Sequence, residues 1–124
     1  MLAVLVERAE AAVAAGVPEV WIDPGIGFGK TSAHNLTLLA HLDAFVATGH
    51  PVLVGTSRKG FLGRLLGDSD HTDAPAAVED RLEGSLATAT WAMANGARMV
   101  RVHDVRATAH AALVIGGQIT KEAA

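Results

Sequence analysis

The sequence predicts an α/β fold of parallel strands joined by helices, and three features lead there. Three short apolar runs, Val20–Ile22, Val52–Val54 and Met99–Val102, read as strands buried on both faces rather than as alternating, half-exposed ones. Each passes abruptly into polar and charged residues: Asp23-Pro24-Gly25-Ile26-Gly27-Phe28-Gly29-Lys30, Gly55-Thr56-Ser57-Arg58-Lys59, and the stretch from Arg101 to Asp104. Helical patterns fill the intervals, and that alternation implies parallel crossovers. Proteins of this class collect their chemistry at the carboxyl ends of the strands.

The elements follow in order. Leu2, Leu5, Val6, Ala9 and Val13 recur at helical spacing, and Gly16 stops that helix before Pro18. The first strand follows at Val20–Ile22. Thr31 or Ser32 caps a second helix that carries Leu36, Leu39, Ala40 and Phe45 and ends near Gly49. Pro51 leads into the second strand. A polar loop, Gly67–Asp73, precedes a long alanine-rich helix from Pro75 to Asn95, with Asp73 or Thr72 as its cap and Gly96 beyond its end. After the third strand, Met99–Val102, a last helix over Val105–Ile115 ends at Gly116-Gly117. Residues 1–117 form one segment, and 118–124 read as a frayed tail. Three parallel strands leave both outer edges unpaired and need cover on both faces. A closed (β/α)8 barrel takes about 250 residues. The chain reads as part of one.

Composition narrows the function classes. The 124 residues are 50% hydrophobic and 19% charged, enough apolar material for a core. No run approaches the roughly 18 to 20 uncharged apolar residues that span a bilayer, and Glu7, Arg8 and Glu10 interrupt the opening segment, so a soluble cytoplasmic protein without a membrane partner is expected. The absence of cysteine removes disulfides, thiolate metal sites and cysteine nucleophiles. A net charge of -3, from 10 basic and 13 acidic side chains, argues against nucleic acid as a partner while leaving room for a local basic pocket.

The glycine loop ends in Gly29-Lys30-Thr31, like a P-loop, but the first glycine of that pattern falls at Pro24, which has no N–H for a phosphate nest. A purely structural turn is the plainer alternative. Against it stands Asp23, a carboxylate stepping off a buried strand, costly there unless donors meet it and suited to gripping adjacent N–H groups of a ligand. Capping or turn formation is the competing account of Asp23. Ser57-Arg58-Lys59 reads equally as a solvated turn. Arg101 and His103, two apart on a strand, point to one side and together make an anion site, with a structural histidine as the alternative. His34, His41, His50, His71 and His110 show no metal-ligand pattern and read as surface residues.

Taken together, DPGIGFGK (23–30), VGTSRKGFLG (54–63), RLEGSLA (81–87) and RVHDV (101–105) resemble, in order and spacing, the blocks of the dihydropteroate synthase family, folate-pathway enzymes with a pterin-binding TIM barrel. The resemblance covers nearly the whole chain. It implies the last three of eight strands, an incomplete barrel, and a transferase that condenses 6-hydroxymethyl-7,8-dihydropterin diphosphate with 4-aminobenzoate to 7,8-dihydropteroate, releasing diphosphate. By matching position, Asp23 holds the amino-pyrimidine edge of the pterin, Gly27 lies in the binding loop, and Gly55 and Lys59 complete the pocket. Arg101 covers the pterin ring and, with His103, meets the diphosphate. Phe28, Ser57 and Arg58 border the site of 4-aminobenzoate and of sulfonamides. Lys59, Arg101 and His103 are the expected catalytic residues. The resemblance also implies Mg2+ as cofactor, with its protein contact outside this chain and hence no metal ligand within it, and a homodimer at full length. The chain alone is expected to be inactive, being a truncated reading frame, a deliberate fragment or one part of a split protein. The alternatives are a non-catalytic pterin-binding or assembly module, and another pterin-barrel enzyme such as a methyltransferase.

Overall fold

The computed structural model describes residues 1–118, and no helix among them is long and apolar enough to cross a membrane. Helix α1, Leu2–Ala14, turns Leu2 and Leu5 toward the core and buries Ala9. It ends as the sequence predicts, at Gly16 with φ +101°, where the Val17 N–H reaches back to the Ala12 carbonyl at 3.1 Å.

The first expected strand is reduced to a single parallel bridge between Ile22 and Val52. Ile22 donates to Pro51 O and receives Leu53 N–H, both at 2.9 Å. Pairing stops there for a local reason: Pro24 has no N–H, and the Gly25 N–H turns to the Asp23 carboxylate at 2.8 Å. Two short strands, β1 (Leu53–Val54) and β2 (Met99–Val100), pair in parallel with Leu53 opposite Met99 and Val54 opposite Val100. The third strand expected to run to Val102 closes at Val100; Arg101 still donates to Val54 O at 3.0 Å, but the His103 N–H is taken by Ser57 Oγ at 3.1 Å. The sheet is thus small and parallel, with Ile22, β1 and β2 side by side.

Thr31 caps α2 (Ser32–Ala40), its Oγ accepting His34 N–H at 3.1 Å. The expected second helix breaks at His41, where φ is −112° and ψ 26°, and resumes as α3 (Leu42–Val46). Leu39, Leu42 and Phe45 all enter the core across the break.

A further helix, α4 (Gly60–Ser69), occupies ground where no helix was expected, so only Asp70–Asp73 of the polar loop is loop. The long helix starts later than Pro75. Residues 75–77 lie extended over α4, with Ala76 N–H on Gly63 O at 2.9 Å, a 3-10 turn spans Val78–Asp80, and α5 covers Leu82–Ala94. Neither Asp73 nor Thr72 therefore caps it, since both lie well before Leu82, and the Thr72 hydroxyl sits 3.1 Å from Gly67 O and 2.9 Å from Ala74 O. Helix α6, Val105–Leu113, continues as a π-helical turn, Val114–Gln118, through both glycines expected to end it. Of the expected tail, 119–124 lie outside the described residues. One core joins these layers, with Ile22, Val52 and Val54 beneath Ile26, Leu39, Phe45, Phe61, Leu62 and Ala92.

Candidate functional site

The loop after Ile22 is built on its own side chains. Pro24 and Ile26 are buried and anchor it, while Asp23, Gly27, Phe28 and Gly29 are exposed. Three of its glycines have left-handed backbones, and at Gly27 (φ +88°) a Cβ would come within 2.7 Å of Lys59 Cδ, so only glycine lets the lysine cross there. Asn35 of α2 accepts the Gly27 N–H at 2.8 Å. Lys30 folds back onto Gly25 O (2.8 Å) and Phe28 O (3.1 Å), so its ammonium braces the loop.

The second loop follows β1. Gly55 lies beneath Arg101 and Lys59: a Cβ there would stand 3.7 Å from Arg101 Cβ and 3.9 Å from Lys59 Nζ. Lys59 donates to Ile26 O and places its ammonium 4.7 Å from the centre of the Phe28 ring. Burial, foremost, pulls the Lys59 ammonium below its ordinary range; the Asp23 carboxylate pulls it back up, and Arg101 and Lys30 push it further down. Asp23, Lys59, Arg101 and Lys30 therefore share one electrostatic neighbourhood.

Ser57 and Arg58 face elsewhere. Ser57, buried, holds His103 at two points, with its Oγ 2.8 Å from Nδ1 and accepting the backbone N–H. Arg58 has a left-handed backbone, and its guanidinium pairs with Asp104 at 3.1 Å at the start of α6. The structure thus gathers Asp23, Gly27, Phe28, Gly55, Lys59 and Arg101 at the carboxyl ends of the three parallel segments, and places Ser57 with His103 and Arg58 with Asp104 beside them. A cavity of about 270 Å³ opens between the first two loops, lined by Phe28 and Asn35 and by the cationic Lys30, Lys59 and Arg64. Such a rim suits a small anionic ligand.

Sequence reasoning gave no role to Asn35, nor to Arg81 and Ser85 individually, although the last two stand in the RLEGSLA block. Two of them carried a signal: Asn35 stands in the buried helical stripe with Leu39 and Leu42, and Ser85 in that with Ala89 and Ala92. A polar group in such a stripe needs a partner: Ser85 Oγ and Asn35 Oδ1 each find one on a site loop, whereas the buried Asn35 Nδ2 finds none among the described residues.

Comparison with known proteins gives a consistent picture. Residues 1–103 match the family described as pterin binding enzymes. The chain is 50% identical over 107 residues to a dihydropteroate synthase of Neisseria meningitidis serogroup C, covering 84% of this chain and 35% of that protein. It is similar in fold to the dihydropteroate synthase of Thermus thermophilus solved in complex with 4-aminobenzoate, with TM-score 0.84 and 46% identity over 95% of this chain and 43% of the other. It is also 48% identical over 102 residues to a protein of Mycobacterium leprae (strain TN) called inactive dihydropteroate synthase 2, covering 81% of this chain and 32% of that protein. The chain spans between 32% and 40% of the length of the curated relatives it matches.

Proposed function

Since the chain belongs to the pterin binding enzyme family, we propose that it supplies the last three β/α units of a dihydropteroate synthase barrel, with residues 1–117 as one segment of that domain. The observation that carries this reading is the convergence of Asp23, Gly55, Lys59 and Arg101 at one end of the parallel segments, beside a small cavity with a cationic rim. In it, the Asp23 carboxylate accepts two N–H groups from the pterin's amino-pyrimidine edge. Gly55, lacking a side chain, lets the ring lie close to the backbone beneath Arg101. The cavity against Phe28 receives 4-aminobenzoate.

The reaction is a displacement at the pterin methylene. The carbon–oxygen bond to diphosphate breaks, its electron pair leaves with the diphosphate, and the arylamine nitrogen bonds to the carbon and loses a proton. No covalent nucleophile on the protein is required. Arg101 and His103 stabilise charge growing on the leaving group, a role in which a single donor is typically worth about 3 to 4 kcal/mol in kcat. Ser57 supports this: when its hydroxyl donates to Nδ1, the ring proton of His103 sits on Nε2, available to a phosphate oxygen. Among the described residues no group of three or more His, Asp or Glu could hold a metal ion, so those residues offer no ready-made cage for Mg2+. Mg2+ assisting the diphosphate would draw its protein contacts from outside the chain, and the roles given to these residues do not depend on it.

The reading is tested by mixing the chain with the complementary part of the Thermus thermophilus synthase and measuring both dihydropteroate formation and pterin binding. Turnover that needs both pieces is expected. One observation favours a second reading, a pterin-binding module without turnover: the inactive relative from Mycobacterium leprae is about as similar as the synthases are. Saturable pterin binding with no product would select it, and absence of both would overturn the two together.

A further inference from the structure

Arg58 holds a left-handed backbone, φ +58°, a conformation disfavoured for any residue with a Cβ and maintained only where the surroundings enforce it. Both of its backbone polar groups are taken by α5 and the residue that leads into it. Its N–H donates to Ser85 Oγ at 2.9 Å, and its carbonyl accepts from Arg81 Nη1 at 2.9 Å. Arg81 is itself pinned, with Nε on Ala76 O at 2.9 Å, and its guanidinium crosses α4 at Gly63, where a Cβ would stand 2.5 Å from Nε. The neighbours of Arg58 face two different partners: Ser57 meets His103, and Lys59 meets Ile26 O and the Phe28 ring.

We propose that Arg81 and Ser85 are positioning residues that clamp Arg58 in its left-handed conformation, and so hold Ser57 on His103 and Lys59 on the glycine loop in one arrangement before substrate arrives. A reversal of chain direction at Arg58 is what sends its neighbours to separate walls of the site. Relaxing it to an ordinary negative φ would release one wall or the other, and displacements of about 1 Å in such groups can cost a hundredfold in rate. The geometry stands by itself; the kinetic consequence rests on the synthase reading above.

The test has two arms. In the isotope-labelled chain, the Cα and Hα shifts and three-bond couplings of Arg58 report its φ. Ser85→Ala and Arg81→Lys should each move it from left-handed toward an average with negative φ; retention of the positive φ in both overturns the clamp. In the mixture with the complementary barrel part, each variant should lower kcat/KM about five- to tenfold, as expected for one lost hydrogen bond. An Arg58→Gly background separates clamping from packing, because glycine takes a positive φ unaided. There Ser85→Ala should cost about twofold or less, and an equal loss in both backgrounds overturns the clamp. If Ser85→Ala alone does not fold, a folded Arg58→Gly/Ser85→Ala chain supports the clamp and an unfolded one overturns it. A wild-type mixture without turnover defeats the synthase reading and leaves the Arg58 conformation to decide the clamp.

Discussion

Asp23 and His103 serve opposite ends of the proposed substrate, so single substitutions separate their tasks. Asp23 keeps one oxygen on the Gly25 N–H and lies exposed at the loop mouth. Asp23→Asn preserves size, removes the charge and exchanges an acceptor for a donor. It should weaken binding of pterin with or without diphosphate by about ten- to a hundredfold, the worth of one charge-assisted contact. His103→Ala should spare the bare pterin and weaken only the diphosphate-bearing form. Calorimetric titration of both ligands into the mixture with the complementary barrel part checks this, and equal losses for the two ligands in His103→Ala would mean the ends are assigned wrongly. Lys59 adds a pH dependence with two signs. Burial holds its ammonium below the ordinary 10.5, so between the lowered value and 10.5 the unfolded chain binds more protons than the folded one. Folding stability should rise with pH across that window, whereas binding that uses the ammonium should fall across it. Denaturation of wild type and Lys59→Met over the alkaline range reads the first effect; a stability difference between them that does not change with pH would contradict it.

Helix α4 shows how tertiary contacts place an element that local pattern hides. Its sequence, Gly60-Phe61-Leu62-Gly63-Arg64-Leu65-Leu66-Gly67-Asp68-Ser69, carries three glycines, each costing about 1 kcal/mol against alanine in a helix interior. Two of them have a packing reason. A Cβ at Gly63 would collide with the Arg81 guanidinium, and one at Gly67 would stand 2.5 Å from Ala74 O. At Gly60 a Cβ would meet only Arg64 Nη1, at an ordinary 3.5 Å. Gly63→Ala should therefore destabilise the chain by about 1 to 3 kcal/mol, while Gly60→Ala should be neutral or stabilising by up to about 1 kcal/mol. Urea unfolding of both variants checks this, and equal effects would show that Arg81 yields. The same strap explains why the long helix begins at Leu82: residues 75–81 cross α4 and carry Arg81 to its partners. Helix ends were legible where the expected cap formed, as at Gly16, Thr31 and Gly96, but not where it did not, as at Thr72 or Asp73 and at Gly116-Gly117. Helix α4, packed under Arg81, was not legible, nor was the break at His41, beside which Leu39 O accepts from the distant Trp91 Nε1 at 2.7 Å. The site divides likewise: residues in the glycine and TSRK loops were visible as abrupt changes after apolar runs, whereas Asn35, Arg81 and Ser85 act from outside those loops, and their helical pattern or motif marks them without naming the partners they bond.

At the scale of the whole molecule the sheet is the constraint. Ile22, β1 and β2 lie side by side, and among the described residues neither the outer side of Ile22 nor that of β2 pairs with another strand. Apolar side chains lie open on several faces, including Val4 and Val13 on α1, Met99 on β2 and Leu113 on α6. A closed barrel would give both edges a neighbour and cover part of this surface. In the proposed barrel catalysis has the same need, because a transition state gains most from groups held on opposing walls, and this chain would supply only some of them. The chain alone should accordingly show no dihydropteroate formation. Its association with the complementary barrel part should bury apolar surface and so carry a negative heat-capacity change, the robust mark of such burial. Calorimetric titration of one piece into the other at several temperatures measures that change directly. A value near zero, or turnover by the purified chain in the absence of its complement, would refute the view that these edges and faces await the rest of a barrel.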